Sequence, residues 1–81
     1  MDDLENFRNW LTLTKKLNSR SSKDVVSRLK RVNKICTINE VSSPAEYFSK
    51  LADVGAFNVL TVFVRSQLRR SYKLYYEYQK K

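Results

Sequence analysis

The residues of this chain best suited to chemistry are its lysines and arginines, since its 81 residues include sixteen of them, eight acids and no histidine. Several recur three or four positions apart, as Lys30 and Lys34 do, and as Arg65, Arg69 and Lys73 do. On a helix this spacing places like charges side by side, where each pair repels by roughly 0.2–0.5 kcal/mol. A surface selected only for solubility would alternate the signs. The arrangement therefore favours an anionic ligand that neutralises these charges.

Other kinds of chemistry have few candidate residues in this sequence. With no histidine and a single cysteine, Cys36, it lacks the usual zinc ligands, an internal disulfide and the commonest general base. We find no glycine-rich phosphate loop and no paired carboxylates, and 81 residues are few for a catalytic domain. We therefore expect a protein that is not an enzyme and needs no metal or cofactor, with Cys36 as a small core residue.

The positive charge is concentrated in two parts of the chain. Residues 8–34 carry a net charge of +8 and residues 58–81 a net charge of +5, whereas residues 1–7 and 35–57 carry −3 and −2. The chain is 42% hydrophobic, enough to pack a core, so this charge is expected on the surface of a folded domain. If the fold brings both basic segments to one side, they form an electrostatic footprint for a polyanion.

Helices are the elements that must position these charges, because the chain has one glycine, one proline and many strong helix formers. The spacing of apolar residues predicts an all-α fold in which no strand is required. A single domain, residues 1–81, is expected to hold a small four-helix bundle. Its helices are predicted at about 2–17, 22–36, 44–54 and 60–79.

Individual residues mark several helix ends. Ser21 and Asp24 match a capping box for the second helix. Ser43, followed by Pro44 and by a glutamate at the third helical position, marks the start of the third helix most clearly. Gly55 is expected to end that helix in a left-handed cap, since it is the only glycine.

Two of the predicted helices are amphipathic, with cations opposite their apolar side. On the second helix, Val25, Leu29 and Val32 gather on the apolar side and the other side is basic. The last helix divides in the same way. The residues expected to contact nucleic acid are Lys23, Ser27, Lys30, Arg31 and Lys34 on the second helix, and Arg65, Arg69, Arg70, Lys73 and Tyr76 on the last.

The aromatic residues divide between the core and the basic side of the last helix. Large side chains dominate burial in a small bundle, so most are expected in the core. These are Phe7, Trp10, Tyr47, Phe48, Phe57 and Phe63. Tyr75 and Tyr78 point inward by helical phase. Tyr76 is expected beside the cations, where a phenol can bond a phosphate, and Tyr72 is open between that position and the core.

Two stretches of the chain resemble a known family. They are NSRSSKDVVSRLKRV at 18–32, preceded by a helix with Trp10 and Leu11, and VRSQLRRSYKLYYEY at 64–78. Together they resemble the N-terminal core-binding domain of tyrosine recombinases and phage integrases. In that family a short polar turn joins the first two helices, and a last helix rich in Arg, Lys and Tyr closes a four-helix SAM-like bundle. The resemblance implies a bundle that lies against duplex DNA through its second and fourth helices.

The sequence departs from that family in one large respect. Recombinases have a separate catalytic domain with Arg, Lys, His and Tyr residues, and these 81 residues contain no such domain and no histidine. The tyrosines are therefore not expected to be recombinase nucleophiles. Either a stand-alone protein or a fragment fits the resemblance. Without the opposing half of the family's DNA clamp, we expect binding that is weak or that depends on oligomerisation.

The favoured interpretation is a non-catalytic, cytoplasmic protein that binds double-stranded DNA through about six to nine phosphate contacts, as a phage or mobile-element regulator. The alternative is a protein-interaction module that engages a recombinase or host factor through the Tyr/Arg-rich last helix, because these residues are enriched at interface hot spots. No apolar run approaches the ~20 residues that span a bilayer, so no membrane partner is expected. Base preference and oligomeric state stay open.

Overall fold

A computed structural model describes residues 3–80 of the protein, and these residues form five helices and no strand. The helices are α1 (Leu4–Leu13), α2 (Ser19–Ile35), α3 (Pro44–Ala52), α4 (Gly55–Asn58) and α5 (Val62–Lys80). The all-helical prediction is confirmed for these residues. Four of the helices have nine or more residues and match the four predicted ones in order, and the short helix α4 is an additional element between the third and the last of them.

The core lies where α2 and α5 pack against each other, with α1 against α2 and α3 against α5. Helices α2 and α5 contribute the apolar sides that their sequence spacing predicts. Val25, Leu29 and Val32 are buried on α2, and Leu68 is buried on α5. The other completely or almost completely buried apolar residues are Phe7, Leu11, Leu51, Phe57 and Tyr72.

A stacked pair of tyrosines joins α3 to α5. The rings of Tyr47 and Tyr72 lie 4.0 Å apart between centroids and are nearly parallel, with 10° between their planes. The Tyr47 hydroxyl donates to the Cys36 carbonyl oxygen, and the Tyr72 hydroxyl donates to the Ser42 carbonyl oxygen, both at 2.6 Å. These two bonds fix both ends of the segment 36–42, which has no helix of its own.

A second aromatic cluster joins α1 to the C-terminal half of α5. Phe7 contacts Tyr75 edge to face, with ring centroids 5.2 Å apart, and lies 5.3 Å from Tyr78. The Trp10 ring lies 5.5 Å from the Tyr78 ring. Such offset and edge-to-face pairs add to the stabilisation that burial alone provides. The prediction that Tyr75 and Tyr78 point inward is confirmed.

Helix α1 is shorter than predicted. It ends at Leu13 instead of near residue 17, and the predicted start at residue 2 lies outside the described residues. Lys16 has a φ of 60°, in the left-handed region, so the chain reverses there. The Leu17 amide then donates to the Leu11 carbonyl at 3.2 Å, which brings the polar turn back against the helix end.

Helix α2 begins three residues before the predicted position. The Oδ1 atom of Asn18 accepts a hydrogen bond from the Ser21 amide at 2.8 Å, so Asn18 is the N-cap and the helix starts at Ser19. The capping box predicted at Ser21 is therefore wrong. Asparagine is as good an N-cap as serine, and it comes first in the chain. The helix ends at Ile35, one residue before the prediction.

The start of α3 is confirmed, and its end is not. Ser43 is the N-cap, with Pro44 at the first helical position. Gly55 does not cap this helix, because no described glycine has a positive φ and Gly55 opens α4. The helix ends at Ala52 instead of 54, and the Asn58 side-chain amide donates to the Ala52 carbonyl at 2.8 Å. That bond satisfies an exposed carbonyl at the helix end without a glycine cap.

The extra helix α4 also changes which aromatic residues are buried. Phe57 is buried as predicted, whereas Phe63 is 70% exposed and Phe48 is only half-buried. Tyr72, left open by the sequence, is completely buried. Helix α5 starts at Val62 and not at 60, because Thr61 Oγ1 accepts from the Val64 amide at 3.2 Å. Cys36 packs against the core as a half-buried residue.

The N-cap of α2 gives a first prediction. Asn18→Ala removes the side-chain oxygen that accepts from the Ser21 amide, so we expect the free energy of unfolding to fall by about 1 kcal/mol. Ser21→Ala is the matched control, since the Ser21 side chain makes no described cap, and should change it by less than about 0.5 kcal/mol. Urea unfolding followed by circular dichroism measures both. If both variants lost the same free energy of unfolding, Asn18 would not be the dominant N-cap and the predicted cap at Ser21 would be supported.

The buried phenols give a second prediction, on pH. Burial is the main cause that raises the pKa of Tyr47, of Tyr72 and of Tyr75 above the ordinary tyrosine value. The folded protein therefore keeps these protons at a pH where the unfolded chain, with pKa values of about 10, loses them. Stability from these groups is complete below about pH 10 and is lost as the pH rises through the folded pKa values.

Urea midpoints at neutral pH, about pH 9 and about pH 11 measure this loss. Tyr47→Phe is the control, because it removes one of the raised groups and leaves the ring in place. We expect a smaller alkaline decrease in Tyr47→Phe than in the wild type. The same decrease in both proteins would show that another group controls alkaline unfolding.

Candidate nucleic-acid interface

The predicted site residues of α2 lie on one exposed strip of that helix. Lys23, Ser27, Lys30, Arg31 and Lys34 are all exposed, opposite the buried valines and Leu29. The strip is about 16 Å long, from the helical rise of 1.5 Å per residue. No ion pair within residues 3–80 involves any of its cations. We call these five residues the α2 basic strip.

The predicted site residues of α5 are of two kinds. Arg70 and Lys73 are exposed, whereas Arg65 and Arg69 are half-buried. The Arg69 guanidinium lies over the Phe57 ring, 5.7 Å from its centroid. Arg65 has a buried Nε atom with no hydrogen-bond partner among the described residues. These two arginines therefore pack against the protein as well as carrying charge.

A groove between α3 and α5 brings some of these cations together. Arg69, Arg70 and Lys73 line it with Ser66, and Phe48 of α3 completes the lining. Its volume is about 550 Å³. We call it the α3–α5 groove. The sequence predicted the three cations, but it placed Phe48 in the core, because large side chains dominate burial in a small bundle.

The two basic regions do not merge into one site. Helices α2 and α5 pack through their buried sides, and each basic side lies opposite a buried side. The basic sides therefore point outward in different directions. The condition that the sequence analysis set for one shared footprint, both basic segments on one side, is not met, and a ligand that contacts both must reach around the bundle.

Tyr76 lies at the C-terminal end of the α5 cations. It is half-buried, and the Lys80 ammonium lies 5.7 Å from the centroid of its ring. No described residue is a hydrogen-bond partner of its hydroxyl. The phenol is thus positioned beside cations, as predicted, and retains a donor for an anionic oxygen.

Two acids lie on the same helices as these cations, Asp24 after Lys23 on α2 and Glu77 four residues after Lys73 on α5. Lys15 and Glu77 form the one ion pair found within residues 3–80, so the single acid of α5 is neutralised from the turn after α1. Glu40 and Glu46 line a separate groove of about 310 Å³, between the 36–42 segment and α3, with Lys50.

In comparisons with known proteins, no family model, no curated protein and no solved structure matches the chain. Among the described residues, no cluster of His, Cys, Asp and Glu has the makings of a metal site. None of the helices in residues 3–80 is long and apolar enough to cross a membrane.

The two kinds of α5 arginine give a third prediction. Arg69→Ala removes the packing on Phe57 and should lower the free energy of unfolding by about 1–2 kcal/mol. Arg70→Ala is the matched control, since Arg70 is exposed, and should change it by less than about 0.5 kcal/mol. Thermal or urea unfolding measures both. Equal stabilities of the two variants would contradict the packing role of Arg69.

Proposed function

We propose that this protein binds double-stranded DNA without catalysing a reaction, and that phosphate contacts from the α2 basic strip supply most of the affinity. The observation that carries the proposal is the strip itself. Its four cations, Lys23, Lys30, Arg31 and Lys34, are exposed and lack acidic partners within residues 3–80. Their mutual repulsion is relieved when phosphates neutralise them.

The dimensions of the α2 basic strip suit a duplex. DNA carries one negative charge per about 1.7 Å of its axis when both strands are counted, so the roughly 16 Å strip spans a length of duplex with about ten phosphate charges on its two strands. Ser27, between the lysines, adds a hydroxyl that can bond a phosphate oxygen. A rigid helix holds these donors in a fixed register, which lowers the entropy cost of binding compared with a flexible basic tail.

The cations of α5 provide a second contact. Arg70 and Lys73 are exposed enough to reach a phosphate, and Tyr76 offers a hydroxyl on the same helix. Since the two basic sides point in different directions, one duplex touches both only if it bends or if it lies along the edge between α2 and α5. Contacts from α2 are therefore proposed to set the affinity, and those from α5 the orientation.

We also propose that the bundle is a SAM-like domain of the core-binding type found in phage integrases, used here by a phage or mobile-element regulator. A short polar turn leads into a basic helix, and the last helix is rich in Arg, Lys and Tyr. These features support the proposal. Helix α4 is an addition to the four-helix pattern of that family. We propose the cytoplasm as the location of the protein.

The alternative function, a protein-interaction module, rests on a different observation from the one the sequence indicated. Tyr72, Tyr75 and Tyr78 are buried, so they offer little contact area to a partner. Three apolar side chains are exposed instead, next to the start of α5. They favour a protein partner in addition to DNA.

Charge reversal on the α2 basic strip tests the proposal. Lys30→Glu with Lys34→Glu should weaken binding to a mixed-sequence duplex by at least about tenfold, because two phosphate contacts become repulsive. Lys16→Glu with Lys50→Glu is the matched control, since it changes the net charge equally at exposed positions off both basic sides. Fluorescence anisotropy at low salt measures affinity, and circular dichroism checks that helix content is unchanged. If both variants weakened DNA binding equally, the affinity would depend on the net charge of the protein and not on the α2 basic strip, which would contradict the proposal.

Salt dependence gives a further test. Six to nine phosphate contacts correspond to a slope of about −5 to −8 when the logarithm of the binding constant is plotted against that of the salt concentration. The Lys30→Glu/Lys34→Glu variant should have a slope smaller by about 2. A wild-type slope near zero would rule out phosphate contacts as the source of affinity.

A further inference from the structure

Three large apolar side chains are exposed around the turn between α4 and α5. Val59, Val62 and Phe63 are 83%, 67% and 70% exposed. Single exposed apolar residues are ordinary, whereas exposed apolar residues that adjoin one another mark an interaction site, and these three fall within five positions of the chain. We call these residues the α4–α5 apolar patch.

The fold does not need this patch. Phe57 of α4 fills the core beside α5, and Leu60 is partly buried against it, so the chain already supplies apolar side chains here. The N-cap Thr61 starts α5 through its side-chain oxygen, which needs no apolar residue at Val62 or Phe63. Polar residues at positions 62 and 63 would allow the same helix start and would expose less apolar surface to water.

The patch continues into the α3–α5 groove along one side of α5. Residues at three- and four-residue spacing form this side of the helix: Val62, Ser66, then Arg69 and Arg70, and Lys73. The result is a surface about 16 Å long with apolar side chains at one end and three cations at the other. The half-buried ring of Phe48 lines the same groove as the three cations.

We propose that this surface binds an acidic, amphipathic segment of a partner protein. The cations of the groove are complementary to carboxylates, and an arginine pairs with a carboxylate through two parallel hydrogen bonds. The apolar patch is complementary to apolar side chains spaced one or two turns away on the same segment. This combination is the recognition mode in which an amphipathic helix lies in a groove.

The other occupants suit the surface less well. A duplex presents a nearly continuous row of phosphates, which leaves Val59, Val62 and Phe63 without a favourable contact, whereas the α2 basic strip contains no apolar residue. A second copy carries the same net charge of +8. The inference goes beyond DNA binding and does not depend on it.

A displayed random peptide library is a direct probe of this surface. Peptides of about sixteen residues, enough for four helical turns, are selected on the full-length wild-type protein. We expect enrichment of sequences that combine Asp or Glu with Leu, Phe or Trp. Enrichment without acids, or acids without apolar residues, would overturn the proposal.

Variants then locate the binding site of an enriched peptide. Val62→Ser with Phe63→Ser should weaken peptide binding by at least tenfold and leave DNA affinity within twofold, since both side chains are exposed and neither belongs to the α2 basic strip. Arg70→Glu should also weaken the peptide. Lys30→Glu with Lys34→Glu is the control and should not. Full affinity in the serine variant would overturn the proposal even if DNA binding by α2 were established.

Two further measurements distinguish the other occupants. Sedimentation of the free protein reports self-association, and flotation with phosphatidylserine vesicles reports lipid binding. We expect a monomer that does not float with the vesicles. A dimer, or vesicle binding, that disappears in Val62→Ser/Phe63→Ser would assign the patch to a second copy or to a lipid surface, and would overturn the proposal.

Discussion

The stacked rings of Tyr47 and Tyr72 are the contact on which the rest of the structure depends. They are the closest aromatic pair described, and they join the short helix α3 to the long helix α5. Their hydroxyl groups also fix the irregular segment that follows α2. Phe48, which lines the α3–α5 groove, contacts Tyr72 edge to face at 6.1 Å. The groove is thus built directly on this pair, so its shape follows from the packing of the core.

The parts of the fold that depend on neighbouring residues could be predicted, and those that depend on distant ones could not. The start of α3 at Ser43 and the inward phase of Tyr75 follow from signals within one or two helical turns. The choice of Asn18 over Ser21 could not be predicted, because both residues are good caps. The role expected of Gly55 is made unnecessary by Asn58, whose side chain bonds the Ala52 carbonyl from six residues away.

The candidate site shows the same division. Helical phase correctly placed the α2 basic strip on the surface, since a single helix determines which side faces outward. It did not reveal that Arg69 lies on Phe57, because that contact needs α4, and a four-residue helix is too short to produce a periodic pattern. Nor did it separate the two basic regions, whose directions depend on how α2 and α5 pack. The exposure of Phe63 is a consequence of the same short helix.

The contact between Asp3 and Gln79 brings the two ends of the described chain to one place. The Gln79 amide donates to one carboxylate oxygen of Asp3 at 3.3 Å, and the Tyr75 hydroxyl donates to the other at 3.4 Å. The first and last parts of the described chain therefore lie side by side. Such a unit can interrupt a surface loop of a larger protein without pulling that loop apart. The same geometry leaves the α2 basic strip and the α4–α5 apolar patch free of the junction, so an inserted copy would keep both surfaces.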